Sequence, residues 1–409
     1  MRYVIIGNSA AAVGCVEGIR QIDSDSEIIM ISNENYHTYS RPLISYLLLS
    51  KTIEEKMKYR DENFYKDNKC TLITGKAVRE INHSAKNVLL DDGTNIEFDK
   101  LLVSTGSSAF VPNFDGLDTV NKKFTFMTLD DAKALSESID EKSKVLIIGA
   151  GLIGLKCAEG ILKRVAKVTV SDLCAKILSS ILDVDGADIV QKHLEMNGVD
   201  FILSDSVIKF EKNTAIFNSG VKIDFDVVVL AVGVRPNVNL LQNIADIDKG
   251  IIINSKSETS VKDIYAAGDC TQTLDISCGE NKVMALLPNA YMQGECAGIN
   301  MAGGESSFEK AIPMNAIGFL GLHVITAGNY IGEVYKETKK NTYKRLYYNN
   351  NKLNGFILIG DVTKAGIYTN LIKDQTPLDT IDFELICEKA GLMAFSKNDR
   401  LQKLGGVIQ

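Results

Sequence analysis

Three glycines, Gly149, Gly151 and Gly154, stand in the stretch KVLIIGAGLIGLKCAEG with the spacing G-x-G-x-x-G. Backbone without side chains at those points can turn tightly, approach a pyrophosphate and pack a helix close to a strand. The apolar residues ahead of Gly149 predict a strand, and Leu152 and Ile153 open an amphipathic helix. A second strand over residues 167–171 then ends on Asp172. A carboxylate there accepts from a free ribose 2′-OH and repels a 2′-phosphate, which favours NADH over NADPH, with Lys176 read as a solvated neighbour. Strand, turn, helix, strand and acid together form the full context that this fingerprint requires.

VIIGNSAAAVG, close to the N-terminus, follows the same plan with only Gly7 in place; Ser9 and Ala12 occupy the other glycine positions, and Ala10 starts the helix. Alone, the stretch reads equally as a nucleotide turn or as a strand with a small-residue turn. The elements that must position it decide: a strand over residues 3–6, a helix over 10–20, and a strand over 27–31 closing near Glu34. These repeat the βαβ unit, so the chain is expected to carry two dinucleotide sites. Two further strand-to-loop segments match each other, FDKLLVSTGSSAFVP with Thr105–Gly106 and FDVVVLAVGVRPN with Val232–Gly233. A third, TSVKDIYAAGDCTQ, ends in Gly268–Asp269.

The remaining composition narrows the classes. The 409 residues are 45% hydrophobic and 24% charged, enough for two or three domains with real cores. No apolar run reaches the ~18 residues of a membrane span, and MRYVIIG lacks the layout of a signal peptide, so no membrane partner and a cytoplasmic location are expected. A net charge of −7 argues against a nucleic-acid partner. The eight cysteines show neither metal-ligand nor redox-pair spacing and read as reduced, mostly buried thiols. His37, His83, His193 and His323 have no metal spacing either, so no metal site is expected.

In order, these five motifs resemble those of the FAD-dependent pyridine nucleotide–disulfide oxidoreductase superfamily, over roughly residues 1 to 375. The resemblance implies an α/β fold: two Rossmann-like (three-layer ββα) dinucleotide-binding domains, the NAD domain inserted in the FAD domain, plus a C-terminal α+β domain. The implied boundaries are 1–110 and 236–308 for FAD, 111–235 for NAD(H), and 309–409 for the C-terminal domain with a helical tail. Gly7, Ser9, Ala10 and Ala12 would hold the FAD pyrophosphate and Glu34 the adenosine ribose, with Val78 meeting the adenine through its backbone. Thr105 and Gly106 would line the flavin, and Gly268 with Asp269 would bind the ribityl chain and flavin phosphate. Gly149, Gly151, Leu152, Ile153 and Gly154 would cradle the NAD pyrophosphate, with Asp172 on the ribose and Val232 and Gly233 behind.

The segment NYHTYSRPLISYLLLS carries no cysteine, unlike the thiol-relay members of the superfamily. Its Y-S-R-P-L-I-S pattern resembles instead rubredoxin and ferredoxin reductases and the flavin module of nitrite reductases. By that likeness Arg41 and Pro42 would sit beside the isoalloxazine, the arginine acting on reduced flavin or on the diphosphate. LLPNAYMQGECAGINMAGG, which includes Pro288, and GFILIGDVTKAGIYTNLI fit the same branch. Relatives often carry a lysine at the position of Tyr46 and a glutamate at that of Lys156. Two readings of Lys156 follow: it supplies the charge that steadies reduced flavin, with its usual partner missing, or it points to solvent.

The implied reaction is hydride transfer between NAD(H) and flavin, then single-electron exchange with a small carrier protein, ferredoxin-like or a rubredoxin. An oxygen-reducing NADH oxidase and an NADH-binding redox sensor are the alternatives, as monomer or homodimer. The basic hairpin YKETKKNTYKRLYYNNNK, with Lys336, Lys339, Lys340, Lys344, Arg345 and Lys352, offers a docking surface or an ordinary solvated hairpin. The last residues, 378–409, read as one or two amphipathic helices built on Phe383, Ile386, Cys387 and Leu392.

Overall fold

Apolar β-branched runs between glycine-rich turns form the centre of the fold. In the computed structural model, which describes residues 1–340 and 342–396, these runs build two five-stranded parallel sheets. The first has the order Ile264–Ala266, Lys100–Val103, Arg2–Ile6, Glu27–Ile31, Cys70–Ile73. The second has the order Val199–Leu203, Lys167–Asp172, Lys144–Ile148, Val227–Leu230, Lys123–Phe124. Strands buried on both faces need continuous apolar sequence, and KVLII and VVVL supply it. A helix follows the central strand of each sheet: Ala10–Ile22 after Arg2–Ile6, and Leu152–Ile161 after Lys144–Ile148.

The chain divides into two compact units. The larger (residues 1–180, 194–273 and 281–309) holds both parallel sheets. Within it, the two matched strand-to-loop segments meet: Ser107–Ala109 and Val234–Pro236 pair as antiparallel strands. The smaller unit (residues 181–193, 274–280 and 310–409) contains an antiparallel sheet with the order Met314–Phe319, Leu322–Gly328, Lys352–Ile359, Thr342–Asn349, Glu333–Lys339. The helices Ala365–Lys373 and Phe383–Lys389 bury Tyr368, Leu371, Ile372 and Ile386 in its core with Phe356 and Leu358. The architecture is the expected α/β fold with a C-terminal antiparallel-sheet portion. Of the expected tail helices, Phe383–Lys389 is present, and residues 397–409 lie outside the described residues.

One surface differs from its charge pattern. The basic hairpin forms, but Lys336 pairs with Asp185, Lys339 and Lys344 pair with Glu337, and Arg345 pairs with Asp183. Lys344 also donates to the Cys387 carbonyl at the end of Phe383–Lys389, and Lys352 donates to Gln375. Antiparallel pairing brings Glu337 opposite Lys344, and Asp183 and Asp185 reach the hairpin from outside it, so four of its six cations have acid partners.

Candidate functional site

In parallel sheets the loops at the carboxyl ends of neighbouring strands converge, and both fingerprints lie at such ends. In the first sheet, Gly7 follows Ile6, Thr105 and Gly106 follow Val103, and Gly268 and Asp269 follow Ala266, on three adjacent strands. Gly7 N–H donates to the Ile31 carbonyl at 2.8 Å and Ser104 N–H to that of Ile6 at 2.9 Å. The second sheet repeats this: Gly149 N–H donates to Ser171 at 2.7 Å and Ala231 N–H to Ile148 at 2.7 Å. Gly7 (φ +128°) and Gly149 (φ +113°) sit in left-handed backbone against the carbonyls of Ser104 and Ala231, where no side chain fits. A Cβ at Gly154 would strike the Gly149 carbonyl, whereas one at Gly151 would meet nothing within 4 Å. Two of these three glycines are therefore demanded by packing; the openness at Gly151 leaves room for a ligand.

Neither fingerprint helix has an acidic residue in its first turn, and Ser9 makes no side-chain cap. The N–H groups of each first turn thus have no acidic or capping side chain from their own helix and are open to an anion. Leu152 and Ile153 open the second helix. Asp172 accepts from Ala150 N–H at 2.7 Å and Cys174 N–H at 2.8 Å. Val232 and Gly233 lead from the neighbouring strand into the Val234–Pro236 pairing. Lys176, read as solvated, is half-buried and donates to the Ser179 carbonyl.

Glu34 lies in a compact polar knot. It pairs with the Arg41 guanidinium and accepts from the Tyr39 phenol at 2.7 Å, while Leu129 N–H and Arg41 donate to that phenol at 3.0 and 3.2 Å. Burial works against the Arg41 charge, but Tyr39 and Glu34 outweigh it and hold the guanidinium above its ordinary range. Burial pushes the Asp269 carboxyl up, against a 3.1 Å hydrogen bond from Ser107 and the field of Arg41. Arg41 is thus paired with Glu34 and lies within the electrostatic reach of Asp269. Pro42 continues the short 3-10 turn Arg41–Leu43, and Val78 begins a small antiparallel sheet and packs on the first sheet's core.

The Lys156 side chain does not point to solvent. It pairs with Glu159, one helical turn on and itself buried, and its ammonium lies 4.9 Å from the Tyr46 ring centroid. The partner thought missing is supplied by the same helix, and the side chain is only 18% exposed. Close packing of Gly160 on Leu48 and Ser45 brings the helices Ile44–Leu48 and Leu152–Ile161 together, which places Tyr46 over the lysine.

Three residues not singled out by pattern hold these loops. Asn237 donates to the Thr105 carbonyl at 2.9 Å through its amide and to the Gly106 carbonyl at 3.0 Å through its backbone. It also accepts from the hydroxyls of Thr105 and Ser108 at 2.7 and 2.8 Å. Buried Gln293 accepts from Gly268 N–H at 2.8 Å. Its helix, Leu287–Met301, which starts with Leu287 and the exposed Pro288, crosses Ala10–Ile22 at four glycines. Gly14 and Gly18 face the carbonyls of Tyr291 and Glu295, and Gly294 and Gly298 face those of Ala11 and Cys15. The third, Tyr39, was only part of a quoted motif.

A family model described as pyridine nucleotide-disulphide oxidoreductase matches residues 1–294. The chain belongs to this family. The rubredoxin NAD+ reductase C-terminal domain matches residues 313–376 of this pyridine nucleotide-disulphide oxidoreductase. It is 28% identical over 391 residues to the NADH-dependent phenylglyoxylate dehydrogenase subunit epsilon of Aromatoleum evansii, covering 92% of each chain. It is 33% identical over 321 residues to an NADH oxidase of Methanocaldococcus jannaschii, covering 75% of this chain and 71% of the relative. Among solved structures, NADH:rubredoxin oxidoreductase from Clostridium acetobutylicum superposes with a TM-score of 0.75 at 25% identity, covering 93% of this chain and 97% of that one. The protein is an oxidoreductase of the family, whose cofactors are FAD and NAD(H). The open space at Gly151 and the acid-free helix starts fit two dinucleotides. No helix among the described residues is long and apolar enough to cross a membrane.

Proposed function

We propose that this oxidoreductase moves electrons between NAD(H) and a small iron–sulfur or rubredoxin-type carrier protein, without a thiol relay. The observation that carries this reading is the condition of the cysteines. All eight are free, and Cys15, Cys70, Cys157, Cys270 and Cys296, all in the larger unit, are buried. Burial pushes the Cys70 thiol up to about 12 and that of Cys270 up to about 11, and raises those of Cys15, Cys157 and Cys296. The thiolate is the reactive form, so these side chains are inert in disulfide exchange. Cys174 is exposed but unbridged.

FAD, when bound, supplies hydride exchange with nicotinamide and single-electron exchange with the carrier. The chain's own residues bind and orient. In this reading, Glu34 and Asp172 accept from ribose hydroxyls, and the first turns of Ala10–Ile22 and Leu152–Ile161 hold the two diphosphates. Arg41, paired with Glu34 and within the field of Asp269, serves the FAD diphosphate rather than the isoalloxazine. Lys156, neutralised by Glu159, orients Tyr46. The domain boundaries, cytoplasmic location and monomeric or dimeric state expected from sequence belong to the same proposal. The carrier role draws support from the relative named NADH:rubredoxin oxidoreductase and from the relative named as a dehydrogenase subunit.

The relative named NADH oxidase favours oxygen as a second acceptor. Anaerobic reduction by NADH, followed by separate mixing with oxidised rubredoxin, oxidised ferredoxin or oxygen, decides between them. Fast flavin reoxidation by one iron carrier and slow reoxidation by oxygen is the expected result. Slow reoxidation by both carriers overturns the carrier reading, and fast reoxidation by oxygen then identifies an oxidase.

A further inference from the structure

The two dinucleotide turns are held in place by different means, and the difference falls on residues that no motif contains. Aligning the fingerprints sets Gly7 against Gly149, Asn8 against Ala150, Ser9 against Gly151 and Ala12 against Gly154. The Ala150 N–H is tied to Asp172, the acid at the end of the next strand, so the second turn is braced by its own ribose carboxylate. In the first turn the corresponding acid, Glu34, is engaged by Arg41 and Tyr39. The brace comes instead through the side chain of Asn8. Its amide donates to the Tyr36 carbonyl at 3.1 Å, and its carbonyl oxygen accepts from the Tyr65 phenol at 2.7 Å. The same phenol accepts from Thr38 N–H at 3.0 Å, and its ring packs edge-on against His37 at 4.8 Å.

Asn8 and Tyr65 therefore clasp the turn to the loop of residues 36–38 at two points. In that loop, among the described residues, His37 Nε2 and Thr38 Oγ1 are buried without a hydrogen-bond partner, and besides the Asn8 bond its backbone is tied elsewhere only where Tyr59 N–H donates to the Thr38 carbonyl at 2.9 Å and Tyr65 accepts from Thr38 N–H. The turn keeps only Gly7 of the three fingerprint glycines, and needs its N–H groups aimed. We infer that Tyr65 is a positioning residue for the FAD diphosphate turn, acting through Asn8 in place of the acid that braces the NAD turn. The inference rests on the proposed assignment of the first turn to FAD and the second to NAD(H).

The test uses Tyr65→Phe, which keeps the ring packing and removes both hydrogen bonds, together with Asn8→Ala and the double variant. Release of FAD from each purified holoenzyme on dilution is followed by the rise in flavin fluorescence, and NAD+ affinity is measured by calorimetric titration. Each single variant is expected to release FAD about tenfold faster, as loss of a buried hydrogen bond implies. The double variant should be little faster than either single one, because the two side chains act as a unit. NAD+ affinity should stay at its wild-type value and the melting temperature of the flavin-free protein should fall by only a few degrees, as loss of one or two hydrogen bonds implies, which a general loss of structure would not allow. Wild-type FAD release in both single variants overturns the inference. Weakened NAD+ binding with unchanged FAD release overturns it and reverses the assignment of the two turns. A wild-type protein that purifies and reconstitutes without FAD overturns the functional reading itself.

Discussion

At the scale of single residues, the three glycines of the second fingerprint answer to different forces. A side chain at Gly154 would run into the Gly149 carbonyl, while Gly151 has extended backbone at φ −81° and open space where its Cβ would point. Gly154→Ala is expected to cost about 2 kcal/mol of stability through overpacking, seen as a lowered melting temperature. Gly151→Ala should leave the melting temperature unchanged but weaken NAD+ binding about tenfold, because the methyl group takes up the anion's approach. Wild-type NAD+ affinity in Gly151→Ala would show that this turn is no phosphate cradle. The glycine spacing was legible because fold and ligand demand it together. The partnership of Lys156 with Glu159 was also within reach, since a helix brings residues three apart onto one face. Its contact with Tyr46 was not, because only the packing of two helices distant in sequence creates it.

At the scale of elements, period and turn chemistry exposed the parallel strands and the two βαβ units, and the helix bounds moved by a couple of residues at most: the first runs to Ile22 rather than Arg20. Hidden from the pattern were the clasps between elements, such as Asn237 on Thr105 and Gln293 on Gly268, which join side chains to backbone across long stretches of chain. Asp263 is another. It stands just ahead of the strand Ile264–Ala266 and pairs at 2.6 Å with both Lys100, at the start of the neighbouring strand, and Lys86. Hydrogen bonds from Lys100 and Lys86, outweighing burial, hold its carboxyl down at about 2. A carboxylate depressed on folding stabilises the native state above its unfolded pKa and loses that contribution as pH falls through the folded value. The contribution should therefore be complete above pH ~4 and fade toward pH ~2. Urea midpoints measured across that range should drop more steeply for wild type than for Asp263→Asn; parallel curves would remove the pair from the account of acid stability.

At the scale of the whole molecule, charge bears on how the proposed carrier would reach the flavin. The chain carries a net charge of −7. The cluster of cations most visible in its sequence is spent inside the smaller unit: Lys336 on Asp185, Lys339 and Lys344 on Glu337, and Arg345 on Asp183. Linear sequence displays the cations but neither the register that sets Glu337 opposite Lys344 nor the approach of Asp183 and Asp185 from outside the hairpin, so it leaves docking patch and ordinary solvated hairpin both open. With those charges compensated, an acidic carrier meets a surface whose long-range field is repulsive. Salt screens such a field within about 8 Å at physiological ionic strength, so screening should help encounter rather than hinder it. The second-order rate of flavin reoxidation by an acidic ferredoxin or rubredoxin is accordingly expected to rise severalfold as salt increases from about 20 to about 200 mM. Charge reversal at Lys339 should change that rate little, since Lys339 already shares Glu337 with Lys344. A rate that falls steeply with salt would mean that a basic surface elsewhere on the molecule steers the carrier. A steep loss in Lys339→Glu would locate that surface on the hairpin after all, with the Glu337 pairs giving way on docking.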